Sequence, residues 1–142
     1  GKVIDIMGDG LMVFWGGRIA RDKENMTKSI AIQSAGLCGR DMLKVCKSVI
    51  NPIIEHEGLG PSISIGVGVT FDSVVVTKIG IPGSYDVKAF GDCINVASHY
   101  ANGTENRVKV SKKVKKEWPT SKGGTIRFVS TDNGEAYFLN SN

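Results

Sequence analysis

The sequence predicts an α+β domain: a mixed, mainly antiparallel sheet with helices on one face. Three observations predict it. The chain opens with two apolar runs, Val3-Ile4-Asp5-Ile6-Met7 and Leu11-Met12-Val13-Phe14-Trp15, across Gly8-Asp9-Gly10, the pattern of a β-hairpin. From Thr27 the period changes: Ala31, Ala35, Cys38, Met42, Val45, Val49 and Ile53 recur at three- and four-residue steps, one face of an amphipathic helix. After that, runs dense in Val and Ile return at 63–71 and 74–79, reading as two strands.

The remaining elements follow in order. Gly16-Gly17 ends the first hairpin, Thr27 is placed to cap the long helix, and Pro52 is expected to kink or end it. Glu57-Gly58-Leu59-Gly60-Pro61 reads as a loop, Asp72-Ser73 as a turn, and 80–84 as a second loop. A short helix is expected from Asp92 to Tyr100, with Asp92 as its cap and Asn102-Gly103 as its stop. Val108-Lys109-Val110 is a strand. Lys112 to Trp118 is a basic helix stopped by Pro119. Thr125 to Val129 and Glu135 to Leu139 form a last hairpin around Asp132-Asn133-Gly134.

Composition narrows the function classes. A chain of 142 residues is one domain, large enough to bury roughly two-thirds of its unfolded surface without staples. A net charge of +4 suits a small phosphate-rich ligand and is too mild for a nucleic-acid binder. Cys38, Cys46 and Cys93 show no CxxC spacing. They read as reduced, buried thiols of a cytoplasmic protein, not as a disulfide frame or a zinc site. No apolar run approaches a membrane span.

Few residues have a chemical look. Asp9 sits between two glycines, which is good turn chemistry in its own right. Asn95 and His99 are four apart on the expected helix and share a face. Lys109, Lys112, Lys113, Lys115 and Lys116 form a basic run that reads as a solvated face.

Two segments change the weight of these residues. Ile6-Met7-Gly8-Asp9-Gly10-Leu11-Met12-Val13-Phe14 and Phe90-Gly91-Asp92-Cys93-Ile94-Asn95-Val96-Ala97-Ser98-His99, in that order, resemble the catalytic domain of class III nucleotidyl cyclases. The resemblance runs from about Lys2 to Ser111. It implies a ferredoxin-like, palm-type fold, and an enzyme that turns a nucleoside triphosphate into a 3′,5′-cyclic monophosphate and pyrophosphate. It also implies two divalent cations, Mg²⁺ or Mn²⁺, and a homodimer with shared active sites.

The same resemblance assigns roles. Asp9 matches a metal-binding aspartate, and Mg²⁺ favours one or two protein carboxylates with substrate phosphates completing its shell. Asn95 matches the residue that orients the ribose. His99 stands where an arginine usually stabilises the α-phosphate; only a protonated imidazole could replace a guanidinium, and then in part. Asp5 and Lys88 match the two base-reading positions. Adenylyl cyclases typically carry Lys at the first and Asp or Thr at the second; this chain reverses the pair. A carboxylate accepts and an ammonium donates, which suits N1–H and O6 of guanine or N3–H and O4 of uracil. A cross-strand ion pair that meets no ligand is the other reading of Asp5 and Lys88.

Three departures from the pattern stand out. The first metal aspartate of the family lies in an F-x-D-I-x-x-F strand that this chain lacks, and Asp5 and Asp22 are not in that context. The expectation is therefore an N-terminally incomplete domain over 1–142, with a degenerate domain as the alternative. The late-hairpin lysine that grips the triphosphate is absent, leaving only Lys122 as a substitute. The segment 69–73 is longer than the usual turn. With the reversed pair, these departures resemble the bacterial pyrimidine cyclases of phage defence. UTP is the favoured substrate, GTP the next, and an adenylyl cyclase using ATP or a non-catalytic nucleotide-binding or dimerisation domain the alternatives. A diguanylate cyclase or palm polymerase is disfavoured by the lack of a Gly-Gly-Asp/Glu-Glu-Phe hairpin.

Overall fold

The computed structural model describes residues 1–16, 27–120 and 124–141, without the side chains of Met7 and Ser141. Its opening follows the expected pattern. β1 (Lys2–Met7) and β2 (Gly10–Phe14) pair antiparallel. Met7 sits opposite Gly10, so Gly8-Asp9 is a two-residue turn, and Gly8 adopts a left-handed φ of 60°. Glycine takes that conformation without the steric cost other residues meet. The register slips between Val3 and Asp5, a bulge that re-aims the side chains following it.

α1 (Lys28–Val45) starts as expected: the Thr27 hydroxyl accepts from Ile30 N at 3.4 Å. Its buried face does not follow the apolar stripe. Ala31, Ile32, Gly36 and Gly39 are buried, whereas Met42, Val45, Val49 and Ile53 are 37–52% exposed. Glycine is the reason. A Cβ on Gly36 would come within 2.6 Å of the Trp118 ring, and one on Gly39 within 2.8 Å of Val67. The helix therefore approaches the sheet along its glycines, a face that a count of apolar side chains cannot register. Pro52 does not end the helix. The turn before it widens to a π turn over Cys46–Ile50, and α2 (Asn51–His56) continues with Pro52 as its second residue. A proline is tolerated in a first turn, where its missing N–H has no partner to lose. Asn51 then holds the returning chain: its amide donates to Ile63 O at 3.0 Å and its carbonyl oxygen accepts from Ile63 N at 2.9 Å.

The middle of the chain departs most from expectation. The strand expected over 63–71 shortens to β3 (Val67–Val69), and 74–79 becomes β4 (Val75–Ile81). The loop expected at 80–84 is instead the end of one strand and the start of another. β5 (Ser84–Phe90) pairs antiparallel with β4 from Val75↔Phe90 to Ile81↔Ser84, around Pro82-Gly83. The signal was present: Tyr85, Val87 and Ala89 alternate with polar residues after a Pro-Gly turn.

α3 (Asp92–Asn102) begins one residue earlier than expected. Gly91 is the cap, its carbonyl accepting from Ile94 N at 3.0 Å, and Asp92 is the first helical residue. There its carboxylate faces the positive end of the helix dipole. β6 (Val108–Ser111), α4 (Lys112–Glu117), β7 (Ile126–Thr131) and β8 (Ala136–Ser141) match the expected order, with Asp132–Gly134 as the turn of the last hairpin.

Among the described residues the strands form three hydrogen-bonded sheets: the β1–β2 hairpin, the β4–β5 hairpin and a four-stranded sheet ordered β3-β6-β8-β7. In the last, β3 and β6 are parallel and the other pairs antiparallel. The core lies between this sheet and α1 and α4: Ile32, Val69, Val108, Val110, Val114, Trp118 and Leu139 pack together. Side chains alternate across a strand. Val67 and Val69 thus face α1, while Gly66 and Gly68 lie against α3. Helices therefore flank both faces of this sheet, where the sequence suggested one.

Candidate nucleotide site

The hairpins and α3 carry the candidate residues. Asp9 sits at the exposed tip of the β1–β2 hairpin. Asn95 and His99 share the exposed face of α3. Among the described residues, none of the three makes a side-chain hydrogen bond or ion pair, so each is free to meet a ligand. Lys122 lies outside the described residues, as does Asp22.

Asp5 and Lys88 are brought together across 83 residues of sequence. Lys88, on β5, donates from Nζ to Asp5 Oδ2 at 2.9 Å. Asp5 stands just beyond the β1 bulge, and its Oδ1 accepts from Ile6 N at 3.0 Å. Both side chains are half-buried, at 26% and 41% exposure. The hydrogen bond from Lys88 holds the Asp5 carboxyl below the usual range, and the same bond to Asp5 raises the Lys88 ammonium. Both groups are therefore charged across the neutral range. With Oδ1 turned to its own backbone and Oδ2 to Lys88, Asp5 anchors the lysine, whose remaining N–H donors are left for another acceptor.

The basic run divides. Lys112 pairs with Glu135, and Lys113 with Asp72, at exposed positions, as a solvated face would. Lys109 does not belong to that face: on β6, 15% exposed, it pairs with Asp132 at 2.6 Å and lies 4.9 Å from the Tyr100 ring. At the start of α3, Thr70 donates from its hydroxyl to Cys93 O at 2.8 Å, and burial pushes the Cys93 thiol up. Neither contact was legible in the sequence, where Lys109 reads as part of the solvated run, because each joins segments far apart in the chain.

The residues present meet the implied metal in part. A single carboxylate at a glycine-flanked tip can give one hard oxygen to Mg²⁺ or Mn²⁺, with phosphates supplying others. Among the described residues no group of three or more His, Cys, Asp or Glu gathers to hold a metal ion. One ion shared with a triphosphate fits the donor set of the described residues.

The fold has clear relatives among solved structures. The guanylyl cyclase Cya2 superposes with a TM-score of 0.71 at 20% identity, covering 98% of this chain and 69% of that one. The adenylyl cyclase CyaB from P. aeruginosa superposes with a TM-score of 0.79 at 18% identity, covering 100% of this chain and 72% of that one. The chain therefore has the fold of class III nucleotidyl cyclase catalytic domains. No protein-family model matches the sequence, and no curated protein matches it. No helix among the described residues is long and apolar enough to cross a membrane.

Proposed function

We propose that residues 1–142 form a class III-type nucleotidyl cyclase catalytic domain that cyclises UTP or GTP, UTP first. The observation that carries this reading is the Asp5–Lys88 pair, joined on a cyclase fold at the two positions where the family reads the base. Lys88, anchored by Asp5, donates to a ring carbonyl. Uracil O4 and guanine O6 accept such a bond; cytosine and adenine present an amino group there and leave the ammonium unpaired. The reversed pair and the other departures favour the pyrimidine branch associated with phage defence, and hence UTP over GTP.

In the reaction, the ribose 3′-oxygen attacks the α-phosphorus in line, the bond to the bridging oxygen breaks, pyrophosphate leaves and the 3′-OH proton is lost. A divalent cation bound with Asp9 would neutralise phosphate charge and acidify the 3′-OH. Asn95 orients the ribose, and the His99 imidazole stands near the α-phosphate. Most of the rate comes from this positioning and charge stabilisation. The working unit is a homodimer in which Asp9 of one copy faces Asn95, Asp5 and Lys88 of its mate. Exposed apolar residues on the hairpins support that assembly: Val75, Ile81 and Phe90 on β4–β5 are 53–71% exposed, and Ile6 on β1 is 72% exposed.

The test is cyclic product formed from each of the four nucleotides by the full-length protein with Mn²⁺ or Mg²⁺. UTP and GTP are expected to be turned over well ahead of ATP and CTP, and Asp5→Lys with Lys88→Thr to shift preference towards ATP. An ATP preference in the wild type would overturn the assignment of the base-reading pair. Nucleotide binding without turnover would favour a non-catalytic domain, the reading to which histidine in place of arginine at His99 points.

A further inference from the structure

The contact between β3 and α3 has no side chains in it at two of its three points. A methyl group on Gly68 would collide with the carbonyl oxygen of Ala97, and one on Gly66 with those of Ala101 and Thr104. Strand backbone and helix backbone therefore touch directly. At the third point the Thr70 hydroxyl donates to Cys93 O at 2.8 Å. Past the helix, Asn106 N donates to Ile65 O at 2.9 Å and Val67 N to Arg107 O at 3.1 Å. The segment from Ile65 to Thr70, with β3 at its centre, thus grips α3 at its first turn, its middle and its end.

The helix faces make this grip functional. Cys93, Ala97 and Ala101 are spaced by four and lie on the side turned to β3. Asn95 and His99 are each two residues further on, about 200° around the helix axis, and are exposed. A shift of α3 off β3 is therefore carried directly to the two residues that meet the ribose and α-phosphate. The groups assigned to the base and the metal, Asp5, Lys88 and Asp9, stand on other elements and would not move with it.

We propose that Thr70 and Gly68 are positioning residues: the Thr70 hydroxyl and the bare Gly68 backbone fix α3 at the height from which Asn95 and His99 reach the reacting ribose and phosphate. The inference rests on the function proposed above for those two residues. Its test uses Thr70→Val, which removes the hydroxyl at nearly constant volume, and Thr70→Ser, which keeps it. In the full-length protein, Thr70→Val is expected to lower kcat about tenfold at unchanged KM, since misplacement by a fraction of an ångström slows the chemical step more than binding. Thr70→Ser should stay within about twofold of wild type on the same ground. The NMR signals of the Asn95 amide and His99 imidazole should move in Thr70→Val and return in Thr70→Ser. Gly68→Ala should reproduce the kcat loss wherever it folds.

Wild-type kcat in Thr70→Val would overturn the inference, as would Asn95 and His99 signals that stay in place. A loss of kcat and melting temperature together that serine does not rescue would show a merely structural threonine. If wild type makes no cyclic product, the proposed function fails and the NMR signals alone judge the positioning claim.

Discussion

The four-stranded sheet and the two hairpins are built on opposite terms. In the sheet, Val108, Val110 and Ala136 are wholly buried, and α4 adds Val114 at 0% exposure. In β4 every residue is exposed, though five of its seven are Val, Ile or Thr. Polar ties do what packing does not: the Asp5–Lys88 pair joins the β1–β2 hairpin to the β4–β5 hairpin. The sheet side makes the fold stable, and the hairpin side leaves its apolar surface uncovered. Asn95 and His99 belong to the first region through α3, Asp9, Asp5 and Lys88 to the second.

The largest expected effect is at the hairpin tip. Asp9→Asn should lower turnover on the order of 10²-fold or more, the scale of losing one charge-stabilising group, while stability stays within about 0.5 kcal/mol, as for other surface changes. Steady-state kinetics and a melting curve on one sample decide it. A collapsed melting temperature would make Asp9 a structural turn residue and erase the contrast between the regions.

The next effect compares one residue type in the two places. Val110→Ala, at a wholly buried site, should cost about 2 kcal/mol from lost burial and the cavity left behind. Val75→Ala, 65% exposed, should change stability by less than about 0.5 kcal/mol. Chemical denaturation measures both, and equal losses would show that the hairpin is as much core as the sheet.

Glycine sharpens the same contrast. Gly8 has open space around it, so Gly8→Ala should cost only the left-handed backbone conformation, about 1 kcal/mol. Gly68→Ala meets a backbone carbonyl and should cost more in the same denaturation experiment.

The smallest effect is electrostatic. Lys88 lowers the Asp5 carboxyl, so that group's contribution to stability is present above its ordinary value and lost as pH falls through the lowered one. Lys88 is raised by Asp5, so its contribution is present below the ordinary lysine value and lost as pH rises through the raised one. The melting difference between wild type and Lys88→Met should therefore be constant from roughly pH 5 to 9 and shrink beyond both ends. A difference that varies across the neutral range would mean the pair is not formed.

What the sequence made legible follows the same division. The Gly-Asp-Gly hairpin, the Thr27 cap and the order β6, α4, β7, β8 were readable because each rests on local turn, cap or period signals. The buried face of α1 was not, because Gly36 and Gly39 make the contact and have no hydropathy to count. The strand β5 was hidden by Gly80 and Pro82-Gly83, which read as a loop until the alternation after them is weighed. Asp5 and Lys88 were singled out by counting from motifs, and the structure joins them. Thr70 gave no signal, because its partner is a backbone carbonyl 23 residues away.

In the proposed homodimer the two regions complete each other between copies, Asp9 from one and Asn95 from its mate. Mixing Asp9→Ala protein with Asn95→Ala protein, each inactive alone, tests it most directly. A mixed dimer holds one intact site, so cyclic-nucleotide formation should return, to about a quarter of wild type for random pairing with one of two sites working in half of the dimers. A mixture that stays inactive while each variant still dimerises would contradict the shared site.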